Sequence, residues 1–186
     1  MELSTYHQKY AAQPDAEIDK KIAAKRSELE AVFSTLSPAF EQAPLKVAVL
    51  GCGDKRFVEK HRELFSSLLQ QPIELTTFDI TTDHLGGAEG VIRHDCALPL
   101  PNGPYDITYA HVLLKFIEPT KQVDVLYNSY QALHEHGLAI HILDTQDYAE
   151  KHPLVDLVTH KTLLRAKNIA FTEIPVHYGL ALVLHN

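Results

Sequence analysis

Apolar residues recur along this chain at two alternating spacings. After Lys46 the run Val47-Ala48-Val49-Leu50 is unbroken, as a strand buried on both faces should be. Residues 73–78, Val91-Ile92-Arg93, 105–110 and 138–143 read as further strands. Helical spacing governs the rest. Ile18, Ile22, Leu29, Val32, Phe33 and Leu36 mark one stripe, on a helix that Asp15 caps and that ends near Ser37-Pro38. Phe57, Val58, Leu64, Phe65, Leu68 and Leu69 mark another over 55–69. Helices are also predicted from Thr120 to about Glu135 and around 154–167. The chain closes with two β-like runs, Ile169 to Val176 and Leu180 to Leu184, joined at Tyr178-Gly179. Strand and helix alternate, which predicts an α/β fold: a Rossmann-like, doubly wound sheet of parallel strands with helices on both faces and an antiparallel last strand. Residues 45–186 form this domain. Residues 1–44 form a helical extension or lid, in which Tyr6 and Tyr10 share a face if residues 3–11 are helical. That face can close over the ligand end of the sheet or anchor the first helix.

At 186 residues the chain fits one domain, and 45% hydrophobic residues suffice for a core. A formal charge of −7 argues against a general nucleic-acid surface, which needs a basic face. Lys20, Lys21, Lys25 and Arg26 read as the solvated side of the first long helix. No run of about 18 apolar residues exists for a membrane span. The first residues lack a basic segment followed by an apolar one, so the expectation is a chain without a secretory leader, in the cytoplasm. Cys52 and Cys96 supply no disulfide framework. The twelve histidines are scattered. His134-Glu135-His136, read at a helix end, does not put its two rings on one face, so no metal site is expected.

The polar chemistry falls at strand ends, where open parallel sheets bind ligands. Gly51-Cys52-Gly53 follows the first strand and precedes a helix. Glycine allows a sharp turn and close approach of backbone, and the helix start offers free N–H groups for a carboxylate or phosphate. Asp79 ends the second strand, 26 residues beyond Gly53. An acid there can accept from both hydroxyls of a ribose, or cap a turn at Ile80-Thr81-Thr82. Together the turn and the acid point to a nucleoside-containing ligand.

Later segments carry a resemblance to a known family. Asp95-Cys96-Ala97-Leu98-Pro99-Leu100-Pro101-Asn102-Gly103-Pro104-Tyr105-Asp106-Ile107, then Ala110-His111-Val112-Leu113, then Ala132 to Ile140 resemble successive segments of class I S-adenosylmethionine-dependent methyltransferases. The likeness covers about residues 45–145 and is nearest to the small-molecule, ubiquinone-biosynthesis-like branch. It implies that S-adenosylmethionine is the cofactor and a small molecule the acceptor. It implies that Gly51, Cys52 and Gly53 pass under the methionine part, that Asp79 holds the ribose with Ile80 beside it, and that Asp95 accepts from the adenine amino group with Cys96 beside the ring. Tyr109 and Ala110 would lie near the sulfonium and the substrate, with His111 as a candidate base and Tyr109 beside it. A histidine just past a strand is suited to deprotonating an oxygen acceptor, and equally to capping the strand. The chain departs from the family at three places. Val49 stands where an acid is usual, Lys55 where a third glycine is usual, and only 16 positions separate Asp79 from Asp95, too few for the usual helix. The Asn/Asp-Pro-Pro-aromatic signature for amino acceptors is absent. Two other readings stay open: a non-catalytic module of this fold that binds a nucleoside or a protein, and a nicotinamide-dependent oxidoreductase, against which Arg56 stands in the third glycine's place. The acceptor site is expected from residues 1–44, the 111–119 loop and the 145–160 segment.

Overall fold

A computed structural model describes residues 5–144, 155–177 and 179–185, with backbone alone at 5 and 6. The chain runs α1 (Thr5–Ala11), α2 (Asp15–Leu36), β1 (Leu45–Leu50), α3 (Arg56–Leu69), β2 (Ile73–Asp79), β3 (Val91–Arg93) and β4 (Tyr105–His111). Then come α4 (Pro119–Gln131), β5 (Leu133–Asp144), α5 (Leu157–Ala166), β6 (Ala170–Val176) and β7 (Gly179–His185). One seven-stranded sheet has the order β3-β2-β1-β4-β5-β7-β6. All neighbours are parallel except β7, which is antiparallel to both β5 and β6. The expected α/β fold with an antiparallel last strand is observed. No helix among the described residues is long and apolar enough to cross a membrane.

The alternation of side chains along the buried strands sorts the core into two layers. Val47, Val49, Ile107 and Ile140 face α2 and α3, packing on Ile18, Leu29, Val32, Phe65 and their neighbours. Ala48, Leu50, Ala110 and Ala139 face the other way, onto Val125 and Leu126 of α4 and Leu164 of α5. Helices therefore cover both faces. The order reverses between β1 and β4, and this switch point opens a crevice beyond the carboxyl ends of the strands.

Three readings differ from expectation, while the missing helix between β2 and β3 agrees with it. Asp15 does not cap α2: Pro14 holds the N-cap position, and the Asp15 carboxylate receives Arg56 at 2.8 Å. The fourth helix stops at Gln131, because Ala132 O turns to accept the Tyr105 N–H at 2.7 Å and the chain enters the long β5. His134-Glu135-His136 is thus part of β5, with His136 at φ +68°, not a helix end. Between β2 and β3 only a short 3-10 turn, Asp83–Leu85, replaces the missing helix. The start expected near 154 and the turn at Tyr178 fall outside the described residues. The sheet's outer strands are modest: β3 has 3 residues, and β6 carries the exposed Pro175.

Candidate functional site

A cavity of about 370 Å³ opens at the switch point, walled by the ends of β1, β2 and β4 and by residues 94–96. Gly51 is its hinge. Its φ is +76°, and a Cβ there would stand 2.8 Å from Leu113 Cδ1. Its N–H donates to Phe78 O at 2.8 Å, locking the turn to β2. Only glycine fills this position without strain. Gly51→Ala is expected to lower stability by about 1–2 kcal/mol, since it both forces a left-handed side-chain residue and displaces Leu113. A denaturation midpoint equal to wild type overturns that account.

At one end of the cavity stand the two expected acids. Asp79 Oδ2 accepts the Cys52 N–H at 2.8 Å and Oδ1 accepts the Thr81 N–H at 3.1 Å. A carboxylate offers about four lone-pair positions, so two remain for a ligand. Asp95 Oδ1 accepts the Ala97 N–H at 3.0 Å, which sets its orientation. Ile80, Cys52 and Cys96 join these acids in the cavity wall. Ile80 is 63% exposed, an apolar surface on the same cavity wall as the two acids. Both thiols are buried, and burial pushes each up to about 12, so they are inert walls and not nucleophiles.

The start of α3 is not an open anion site. Asp54 Oδ1 already accepts the Arg56 N–H at 2.8 Å. The Arg56 guanidinium grips the same carboxylate at 2.9 and 2.7 Å and holds it below the usual carboxylate range. The chain's own acid fills the place where a pyrophosphate would rest, and with it the nicotinamide reading loses its anchor. Arg56 also donates to Tyr10 O and Gln13 O at 2.9 and 2.8 Å. It thereby fastens the end of α1 beside the glycine turn. His7 of α1 stacks on His84, ring centroids 3.7 Å apart, and His84 Nε2 lies 2.6 Å from Cys52 O. His7 and Tyr10 consequently line the cavity. The Tyr6 side chain lies outside the described residues.

The other end of the cavity is built from α2, α3 and the end of β4. His111 Nε2 meets Glu28 Oε2 at 2.9 Å, and the Glu28 side chain is fully buried. Burial, then Lys25 and His61, hold His111 well below the usual histidine range. Val112 follows with φ +56°, a strained conformation for a β-branched residue, pinned by its N–H to Ile142 O at 2.8 Å. Lys25 is 7% exposed and its ammonium lies 5.6 and 5.5 Å from the Phe57 and Tyr109 rings. Burial lowers it to about 7. The reading of Lys25 as part of a solvated face is therefore corrected: it points inward, and Lys21 joins it on the cavity wall. Tyr109 is fully buried, packed on His61 and Phe65, with its hydroxyl unpartnered among the described residues. Neither it nor Ala110, 1% exposed on the opposite face, reaches the cavity wall. Of the segments expected to shape the acceptor site, 145–154 lies outside the described residues, while Phe116 and Ile117 of the 111–119 loop do line the cavity. Among the described residues no group of three His, Cys, Asp or Glu side chains is placed to hold a metal.

Glu28 and His61 went unnoticed in the sequence and Lys25 was read as solvated, yet Lys25 and His61 carry a visible signal. Positions 18, 22, 25, 29, 32 and 36 form one helical stripe, and Lys25 interrupts it. His61 interrupts the stripe of 57, 58, 64 and 65 in the same way. A polar residue inside an apolar stripe is buried, and a buried polar group needs a partner or a purpose.

No family model matches the chain, and no curated protein does. Solved structures do. An S-adenosylmethionine-dependent methyltransferase from Clostridium acetobutylicum superposes with a TM-score of 0.67 at 10% identity, covering 96% of this chain and 98% of that one. Magnesium protoporphyrin IX methyltransferase from Synechocystis, solved with bound S-adenosylmethionine, gives 0.59 at 12% identity, covering 99% and 84%. A pericyclic reaction enzyme gives 0.58 at 11% identity, covering 79% and 45%. The shared property is the fold, the Rossmann-like architecture of class I methyltransferases, and the third match is described by a different reaction.

Proposed function

We propose that this chain, which has the class I methyltransferase fold, binds S-adenosylmethionine in the switch-point cavity and methylates an oxygen of a small molecule. One observation carries the reading: the Gly51 turn, Asp79 and Asp95 surround a single cavity, with the exposed Ile80 between the acids. The remaining lone pairs of Asp79 suit two ribose hydroxyls, Asp95 suits an amino group, and Ile80 suits a ring face. The cofactor supplies a methyl group activated for in-line displacement. The chain has then to align donor and acceptor and exclude water, which is worth several kcal/mol. α1, fastened by Arg56 and by the His7–His84 stack, covers the opening.

His111 is the base in this reading. Its Nε2 lies 2.9 Å from Glu28 Oε2, which fixes the ring's orientation at the cavity wall. A proton taken from the acceptor would be held on a ring that already contacts the Glu28 carboxyl group.

Calorimetry tests the binding step. S-Adenosylhomocysteine is expected to bind and the oxidised nicotinamide cofactor not to bind. At 100 times its Kd the former should add about 2.7 kcal/mol of stability. In the same complex, α1 amides should gain protection from hydrogen exchange. Absence of binding removes the reading. A second reading, a module that binds the nucleoside without turnover, draws on Val49, 1% exposed in the place of the usual acid, and on Lys55 in the place of a glycine. Tight binding of S-adenosylhomocysteine, with no S-adenosylmethionine consumed against any oxygen acceptor, favours it.

A further inference from the structure

Lys25 has no ion pair or hydrogen bond among the described residues, although 93% of its surface is shielded. Buried ammonium groups are normally paired, because the desolvation of a lone charge is severe. Its neighbour Glu28, one helical turn on, is engaged with His111 at 2.9 Å. Across the same cavity wall His61 is 2% exposed with neither ring nitrogen hydrogen-bonded. Lys21 adds a second ammonium at 4.9 Å from the Tyr10 ring. These groups come from two helices and line the same cavity.

We propose that Lys25, flanked by Lys21 and His61, is the binding site for a carboxylate of the methyl acceptor. The acceptor is then an anionic small molecule with its reactive oxygen toward His111. This assignment rests on the proposed methyl transfer for the identity of its occupant. The cofactor's own carboxylate is the less suited occupant. It belongs to a zwitterion whose ammonium would be brought against Lys21 and Lys25, while the neighbouring Glu28 is already engaged with His111. A singly anionic acceptor brings no such repulsion, and it provides the acceptor that His61 and Lys25 lack.

The test uses the full chain with benzoate and its neutral isostere benzamide, measured by calorimetry with and without saturating S-adenosylhomocysteine. Wild type is expected to bind benzoate at least tenfold more tightly than benzamide. Lys25→Met should erase that preference while leaving the affinity for S-adenosylhomocysteine within twofold. Lys25→Arg should restore part of it, and serves also if the methionine variant misfolds. Equal binding of benzoate and benzamide by wild type overturns the proposal. So does a Lys25→Met variant that loses S-adenosylhomocysteine affinity but keeps that for 5′-methylthioadenosine, which lacks the amino-acid arm. Failure of the cofactor reading shows separately, as wild type that binds neither nucleoside, and the benzoate comparison on the unloaded chain then still decides the anion site.

Discussion

Acidification from pH 6.5 towards 4 is expected to unfold this protein, through histidines that are folded in the neutral form. His141 is buried, with Nε2 2.7 Å from Ser129 Oγ and Nδ1 unpartnered, and burial lowers it to about 3. His61 and His111 are held well below the ordinary value by the same cause. The unfolded chain binds protons near pH 6.5 that the fold refuses. Their stabilisation is therefore complete above 6.5 and is lost as the pH falls towards the folded values, about 3 for His141. His141 contributes a slope of about 1.4 kcal/mol per pH unit between the two values, and His61 and His111 act in the same direction. Against a total stability of about 5–15 kcal/mol, a loss of this kind accumulated over two units is a large fraction. Thermal melts at pH 7, 6 and 5 should fall step by step, with the drop from 6 to 5 larger than that from 7 to 6. His141→Gln, which can keep the Ser129 bond, should remove part of the slope. A melting temperature unchanged from pH 7 to 5 refutes the account.

Asp79→Ala is expected to weaken S-adenosylhomocysteine binding roughly tenfold to a hundredfold. Two charge-assisted bonds to the ribose are lost, worth about 1.5–3 kcal/mol. The Cys52 N–H also loses its acceptor, which loosens the glycine turn under the ligand. Asp79→Asn keeps a carbonyl for Cys52 and should fall between alanine and wild type. If alanine and wild type bind equally, Asp79 is a turn-closing residue and the ribose lies elsewhere.

The fold was legible because its signals are redundant. The first parallel strand, Val47–Leu50, is an unbroken apolar run that ends at a glycine. The adenosine-side candidates were legible for the same reason: Gly51, Asp79 and Asp95 all follow a strand, and strand ends converge at the switch point. The opposite end was hidden. It depends on how α2 and α3 roll against the sheet, which brings Lys25, Glu28 and His61 beside His111 from residues up to 86 positions apart. Tyr109 illustrates the limit of position alone. Strand alternation sends it into the core against Phe65, whereas His111, two residues on along the same face, has passed the sheet's end and meets the cavity.

The open sheet also has two free margins, and their composition bears on behaviour at high concentration. A neighbouring molecule seeking to continue the sheet finds at β3 a template of 3 residues. At β6 it finds Pro175, which has no amide hydrogen to offer, and the Lys161–Glu173 pair at 3.0 Å standing charged beside it. Strand-to-strand stacking of copies has no run of backbone long enough to start on. Crowded solutions of the folded chain should stay clear of fibres, and any self-association has to be sought on its helical faces.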